Sequence, residues 1–334
     1  MGLLVDGKWQ DKWYDTDKTG GKFKREEARF RHWVTQDGSA GPTGEPGFKA
    51  ASGRYHLYVS MACPWAHRTL IFRKLKGLED HIGVSVVHPD MLENGWEFRP
   101  DDSRHKDSLH DARFLHQLYT RVAPDYSGRV TVPVLWDRER EDIVSNESAD
   151  IIRMFNSAFD GLEGVNKELD FYPAELRDEI EKVNGRVYDT INNGVYKTGF
   201  ATAQDVYEQS YDALFESLDW LEQRLSSHRY LVGQRLTEAD WRLFTTLIRF
   251  DAVYYSHFKC NRERLMDFPH LSAYLRDLYQ VPGVAETVDI AQIKRHYYVS
   301  QRTINPTQIV PVGPRLDFDA PHGRESLGPG FAAG

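Results

Sequence analysis

Between Tyr55 and Leu75 the chain reads Tyr-His-Leu-Tyr-Val-Ser-Met-Ala-Cys-Pro-Trp-Ala-His-Arg-Thr-Leu-Ile-Phe-Arg-Lys-Leu, and no other stretch limits its possible folds so strongly. The alternation over His56 to Ser60, with aromatic and β-branched residues, predicts a strand, and Leu70, Ile71, Phe72 and Leu75 recur at helical spacing. Cys63 falls at the turn between them. Pro64 suits the first position of a helix, where its missing N–H costs nothing, so Cys63 belongs at or beside the N-cap. Free amides and the helix dipole favour an anion there, and a thiol so placed titrates below its ordinary value of about 8.5. His67 and Arg68 bring positive charge one turn further on. An isolated cysteine is ordinarily a small buried hydrophobe; the order strand, Cys-Pro, apolar helix points instead to a thiolate nucleophile.

That order resembles the start of a thioredoxin-like domain, which presents a sulfur in this way. Ala66 occupies the place where a dithiol oxidoreductase carries its second cysteine. A disulfide formed by Cys63 must then be resolved by a thiol from solution.

A chain of 334 residues has room for two packed domains. Its net charge of −8 and pI near 5.9 argue against a nucleic-acid or anionic-membrane surface. No apolar run approaches the ~18 residues of a membrane span, and the first 24 residues lack a signal-peptide core. A cytoplasmic protein is expected, in a reducing compartment that suits two distant cysteines, Cys63 and Cys260. Cys260 reads as structural. No His, Cys or carboxylate cluster has metal-ligand spacing, and His110 and His116 read as surface residues.

Residues 1–51 show no sustained period and read as an extension anchored by scattered tryptophans, among them Trp9, Trp13 and Trp33. Beyond the opening strand and helix, strands are predicted at Ile82 to Val87, at Thr131 to Trp136 and from Ile143, with helices at Leu109 to Val122 and Ser145 to Phe159. After Gly161 the strands stop. Helical spacing covers Glu175 to Asn192, Asp205 to Leu225, Glu238 to Val253 and Pro269 to Tyr279. Thr237 as N-cap and Asp240 at N3 make a carboxylate variant of the capping box. The Pro- and Gly-rich tail from Thr303 is expected to run over the surface, with roughly its last dozen residues disordered.

A thioredoxin-like half followed by a helical half whose capped helix begins Leu236-Thr237-Glu238-Ala239-Asp240 resembles the glutathione transferase superfamily. Cys63-Pro64-Trp65-Ala66-His67-Arg68, Gly95-Trp96, Ser127 to Trp136, Asn146-Glu147-Ser148, Asn192 to Tyr196, His257 to Asn261 and Thr303 to Pro306 narrow the resemblance to the xi class, the glutathionyl-hydroquinone reductases, over nearly the whole chain. The fold implied is an α/β thioredoxin-like N-terminal domain plus an all-α C-terminal domain. Its expected divisions are an extension over 1–51, a glutathione-binding domain over 52–163, a substrate domain over 164–302 and a tail over 303–334.

The resemblance implies a role for each matching residue. Cys63 is the nucleophile. A cis Pro133 turns Val132 so that its N–H and C=O pair with the cysteinyl part of glutathione. Glu147 and Ser148, at the start of a helix, hold the γ-glutamyl end, although as bare sequence they read equally as a helix cap. Trp96 and Arg129 hold the rest of the tripeptide by stacking and charge. Tyr196, Tyr254 and Tyr297 hydrogen-bond the quinol oxygens; Tyr255 and Tyr298 adjoin two of them. The partners implied are glutathione as co-substrate, glutathionylated quinols, and a second copy of the chain in a homodimer. Two other readings stand beside this one. One is a broader omega-like thiol transferase acting on dehydroascorbate or mixed disulfides, and the other is a non-catalytic binding protein on the same fold.

Overall fold

The computed structural model describes residues 2–331. It comprises two compact units, one of Met1–Trp13, Glu26–Leu169 and Ala291–Gln301, the other of Tyr14–Arg25, Asp170–Ile290 and Arg302–Gly334. In the first, the chain runs through β1 (Leu3–Val5), β2 (Lys8–Gln10), β3 (Tyr55–Val59), α1 (Pro64–Leu75), β4 (Ile82–Val86), α2 (His116–Val122), β5 (Gly128–Arg129), β6 (Val134–Asp137), β7 (Asp142–Ser145) and α3 (Ser148–Ser157). The second carries α4 (Arg177–Val187), α5 (Gly194–Gly199), α6 (Gln204–Leu225), α7 (Glu238–Arg249) and α8 (Pro269–Tyr279). The chain then returns to the first unit with α9 (Ile290–Ser300).

The sheet that positions Cys63 has the order β4-β3-β6-β7, with β3 parallel to β4 and the other pairs antiparallel. All five residues of β3 are buried, as its aromatic and β-branched composition requires of a strand flanked on both sides. The outer edge of β7 is covered by the extension, where the His32 N–H donates to Val144 O at 2.8 Å. α1 buries Leu70, Ile71, Phe72 and Leu75 and packs against α3.

Several features depart from expectation. The extension contains a β1–β2 hairpin that also pairs with β5. Its turn is Asp6-Gly7, both at positive φ (46° and 70°), the pairing that a two-residue hairpin turn requires. Trp9 is an anchor, stacked on His116 at 4.8 Å with its Nε1–H on Glu93 O. His116 is accordingly half-buried between Trp9 and Phe114, and His110 packs edge-on against Trp136, so neither is a surface residue.

The helix expected from Leu109 begins only at His116. Asp107 accepts the Leu109 and Ala112 N–H groups, and Gln117 Oε1 those of Arg113 and Phe114, so side chains take the amides that a helix would pair. The third departure is α9, whose Ile290, Ile293 and Tyr297 fall on one helical face. Finally, the tail is docked. Arg324, 2% exposed, donates to Leu225 O at 3.1 Å and Arg229 O at 2.9 Å, and Gln280 Nε2 donates to Phe318 O and Ala320 O. Of the last dozen residues, expected to be disordered, those through 331 are placed and 332–334 lie outside the described residues.

In the helical unit the expected helices appear with altered winding. The stretch read as one helix over 175–192 is a 3₁₀ turn (Ala174–Leu176), α4 and a π turn (Tyr188–Asn192). α7 likewise passes into a π turn over Phe250–Tyr254. The capping box at Thr237 and Asp240 is formed, with the Thr237 N–H and hydroxyl donating to Asp240 Oδ2 at 2.8 and 3.1 Å.

Candidate active site

β3 ends at Val59, β6 begins at Val134 opposite Tyr58, and β7 ends at Ser145 opposite Leu135, so three strand ends meet at one edge of the sheet. Cys63 emerges there as the N-cap of α1, extended at φ −78° and ψ 123°, with Pro64 as the first helical residue. Its carbonyl accepts the His67 N–H at 3.0 Å. The side chain is 9% exposed, and its thiol donates to Val132 O across 3.6 Å. The Val132–Pro133 peptide is cis. Val132 O therefore stands against the sulfur, with the cis Pro133 next in the chain.

α3 begins beside them. Glu147 is its N-cap, with Oε1 accepting the Ala149 N–H at 2.9 Å, and Ser148 is 3% exposed. Arg68, 1% exposed and 4.6 Å over the Trp65 ring, reaches from α1 with Nη1 3.5 Å from Ser148 Oγ. α1 and α3 thus begin at the same end of the sheet, and Arg68 of α1 reaches the first residue of α3. Two helix N-termini and an arginine make this a place for carboxylate and thiolate groups.

Trp96 is buried in the loop after β4, its ring stacked 4.8 Å from that of His296 on α9. Four bonds fix α9 to this loop. The His296 Nδ1–H donates to Pro89 O at 2.8 Å, Arg295 holds Asp90 through two bonds of 2.6 and 2.7 Å, and Ser300 Oγ accepts the Met91 N–H. Tyr297, 1% exposed, packs edge-on against His296. Arg129 lies on β5, where Nη1 donates to Lys12 O.

In the helical unit, Tyr196 on α5 and Tyr254 at the end of the second π turn face each other with centroids 6.1 Å apart, and Phe258 packs on both. Tyr254 is fully buried and Tyr255 half-exposed, whereas Tyr297 and Tyr298 are both buried. Cys260 is fully buried and its thiol donates to Phe258 O across 3.8 Å; burial pushes that thiol up, away from the thiolate. Among the described residues, no group of three or more His, Cys, Asp or Glu could hold a metal ion, and no helix is long and apolar enough to cross a membrane.

Cys63, Val132 and Pro133 are thus brought together at the sheet edge, with Glu147 and Ser148 at the start of α3, reached by Arg68. Tyr196 is paired with Tyr254, while Trp96 and Tyr297 both pack against His296. Sequence reasoning missed His296, and Arg25, whose guanidinium carbon lies 5.2 Å from the Tyr196 ring centroid. For His296 a signal existed, the helical period from Ile290 that carries it beside Tyr297. Arg25, in the charged run Lys22-Phe23-Lys24-Arg25-Glu26-Glu27, carried none.

The site can be compared with known proteins. The family model for the glutathione S-transferase N-terminal domain matches residues 62–158, and that for the C-terminal domain matches residues 204–277. The glutathionyl-hydroquinone reductase YqjG of Escherichia coli K12 is 59% identical over 328 residues, covering 97% of this chain and 99% of its own. Its glutathione-bound structure superposes with a TM-score of 0.89, at 55% identity over the structural alignment, covering 97% of this chain and 99% of that one. PcpF of Sphingobium chlorophenolicum, also a glutathionyl-hydroquinone reductase, is 52% identical over 94% of this chain and 96% of its own. A xi class transferase from Natrialba magadii superposes at 0.88 with 47% identity, each chain covered to 98%. With both family domains in order and such identity along almost its whole length, the chain belongs to the glutathione S-transferase family, in its xi-class, glutathionyl-hydroquinone reductase branch.

Proposed function

We propose that this protein is a glutathione-dependent reductase that removes glutathione from glutathionyl-hydroquinones through a mixed disulfide on Cys63, and that it works as a homodimer in the cytoplasm. The observation that carries the reading is the placement of the Cys63 sulfur at the N-cap of α1, 3.6 Å from Val132 O beside the cis Pro133. Val132 offers backbone groups to the cysteinyl part of glutathione. Ser148 and the free amides of α3 take the γ-glutamyl carboxylate, and Glu147 takes its ammonium. Trp96 and Arg129 hold the remainder of the tripeptide.

The Cys63 thiolate attacks the sulfur of the glutathionyl-hydroquinone. As the new S–S bond forms, the C–S bond breaks. Its electron pair stays with the ring, which takes up one proton and leaves as hydroquinone. Tyr196, Tyr254 and Tyr297 donate hydrogen bonds to the quinol oxygens, where negative charge gathers as that bond breaks. The thiolate of a second glutathione then attacks the mixed disulfide, releasing oxidised glutathione and the Cys63 thiolate. Ala66 offers no second protein thiol to compete for the intermediate.

The test is a turnover assay with glutathione and the menadiol adduct of glutathione, with mass spectrometry of the enzyme quenched during turnover. Release of menadiol together with one glutathione mass on Cys63 is expected. Most activity surviving in Cys63→Ala would rule the scheme out. A glutathione adduct without menadiol release would shift the substrate to dehydroascorbate or mixed disulfides.

A further inference from the structure

Arg25 stands in the extension, ahead of everything the mechanism above uses. Its Nε–H donates to Asn193 Oδ1 at 2.9 Å, and Asn193 is the N-cap of α5, the helix that carries Tyr196. The guanidinium carbon lies 5.2 Å from the Tyr196 ring centroid and 5.5 Å from that of Phe23. Phe23, 6% exposed, itself stacks on Tyr196 at 6.2 Å and leans on Phe200 at 5.3 Å. All these residues belong to the helical unit.

A cation over the face of a phenol is attracted to the ring, and more strongly so when the ring carries negative charge. It therefore favours any state in which the hydroxyl has partly given up its proton. We infer that Arg25 is a positioning residue for the quinol step, holding the Tyr196 ring from the extension and strengthening its hydroxyl as a donor to the oxygen of the departing quinol. The inference rests on reading Tyr196 as a quinol-binding residue. Among the described residues, the charged and titratable groups about Tyr196 include Arg25 and Tyr254 at 6.1 Å; an ion pair of Lys197 with Asp189 lies on α5 and the preceding π turn, and Phe23, Phe200 and Phe258 are uncharged. Arg25 thus sets a guanidinium over the Tyr196 ring face.

The test compares Arg25→Gln, Arg25→Lys, Tyr196→Phe and the double variant Arg25→Gln/Tyr196→Phe in the menadiol-adduct assay, with an ultraviolet difference titration of the Tyr196 phenol. Arg25→Gln is expected to lower kcat by about fivefold to tenfold with KM nearly unchanged. Arg25→Lys is expected to recover part of the loss. In the Tyr196→Phe background, Arg25→Gln should add little. The Tyr196 phenolate signal, taken against Tyr196→Phe, should move to higher pH in Arg25→Gln.

Wild-type turnover in Tyr196→Phe would overturn the role given to Tyr196, and the inference with it. A slow Tyr196→Phe beside an Arg25→Gln unchanged in both kcat and titration would overturn the inference alone. So would an Arg25→Gln that is slow while the titration stays put, since that is what a merely structural contact does. Should Arg25→Gln fail to fold, Arg25→Met keeps the apolar stem over the two rings and is read by the same criteria.

Discussion

Cys63 and Cys260 are 9% and 0% exposed, and neighbours separate them further. Cys63 sits on a helix N-terminus at the sheet edge, while Cys260 is enclosed and pushed up by burial. Iodoacetamide at neutral pH is expected to add one equivalent to the native protein, on Cys63, and two after denaturation; peptide mapping reads the sites. Labelling of native Cys260 would contradict this. At the same scale, His56 in β3 is held at a pKa of about 4 by burial, against an ordinary 6.5. Its ring nitrogen bonds Ser85 Oγ at 2.9 Å. Between those pKa values the unfolded chain binds a proton that the folded one refuses, so stability falls as pH falls from about 6.5 to 4, by on the order of 3 kcal/mol. Thermal melts across that range should show a shallower slope in His56→Gln. Cys63 and Pro133 were legible because their chemistry is local: a proline at N1 and a Val-Pro peptide declare themselves in two residues. Arg25 and His296 were not, because each acts through rings distant in sequence, Tyr196 and Trp96.

Elements were legible where their ends are chemically marked. Thr237 and Asp240 announced α7, and Phe268-Pro269 opened α8 at the expected residue. Asp240 does more than cap. It accepts the Thr237 N–H and hydroxyl, the Leu231 N–H at 2.9 Å and the Tyr274 hydroxyl at 2.7 Å, all out of solvent. Asp240→Ala strands four donors, and the expected cost in urea unfolding is roughly 3–5 kcal/mol, with Asp240→Asn losing less because its amide oxygen still accepts. An effect below about 1 kcal/mol would show that solvent reaches the site. Elements were illegible where a long-range or very short pattern governs. The β1–β2 strands are three residues each, too short for a period, although Asp6-Gly7 is the strongest local hairpin signal. The two π turns are five residues each, too short to be told from the α-helices they continue by apolar spacing. Yet one ends at Tyr254 and the other stands one turn before Tyr196.

At the scale of the whole molecule, the order of a sulfur-presenting half and a helical half was readable, but not how the chain is shared between them. The tail shows why. Its Pro and Gly content suggested a surface tail with a disordered end, whereas buried Arg324 near that end is bonded to the carbonyls that end α6 and the loop beyond. Arg324→Ala is expected to lower the melting temperature of the helical unit by several degrees, and removal of residues 315–331 to do at least as much; calorimetry reads both. An unchanged melt would mean that the tail is a passenger. The two units also exchange segments, for the chain passes from one to the other five times. On the ribosome this means that what emerges first is not finished first. Residues 26–169 are out long before 291–301, and at roughly 5–20 residues per second the wait is on the order of ten seconds. Until α9 arrives, Asp90 has no Arg295 and Trp96 no His296. The half that bears Cys63 is therefore completed only once residues 291–301 have been made, so a translation product truncated before α9 is born without a finished candidate site.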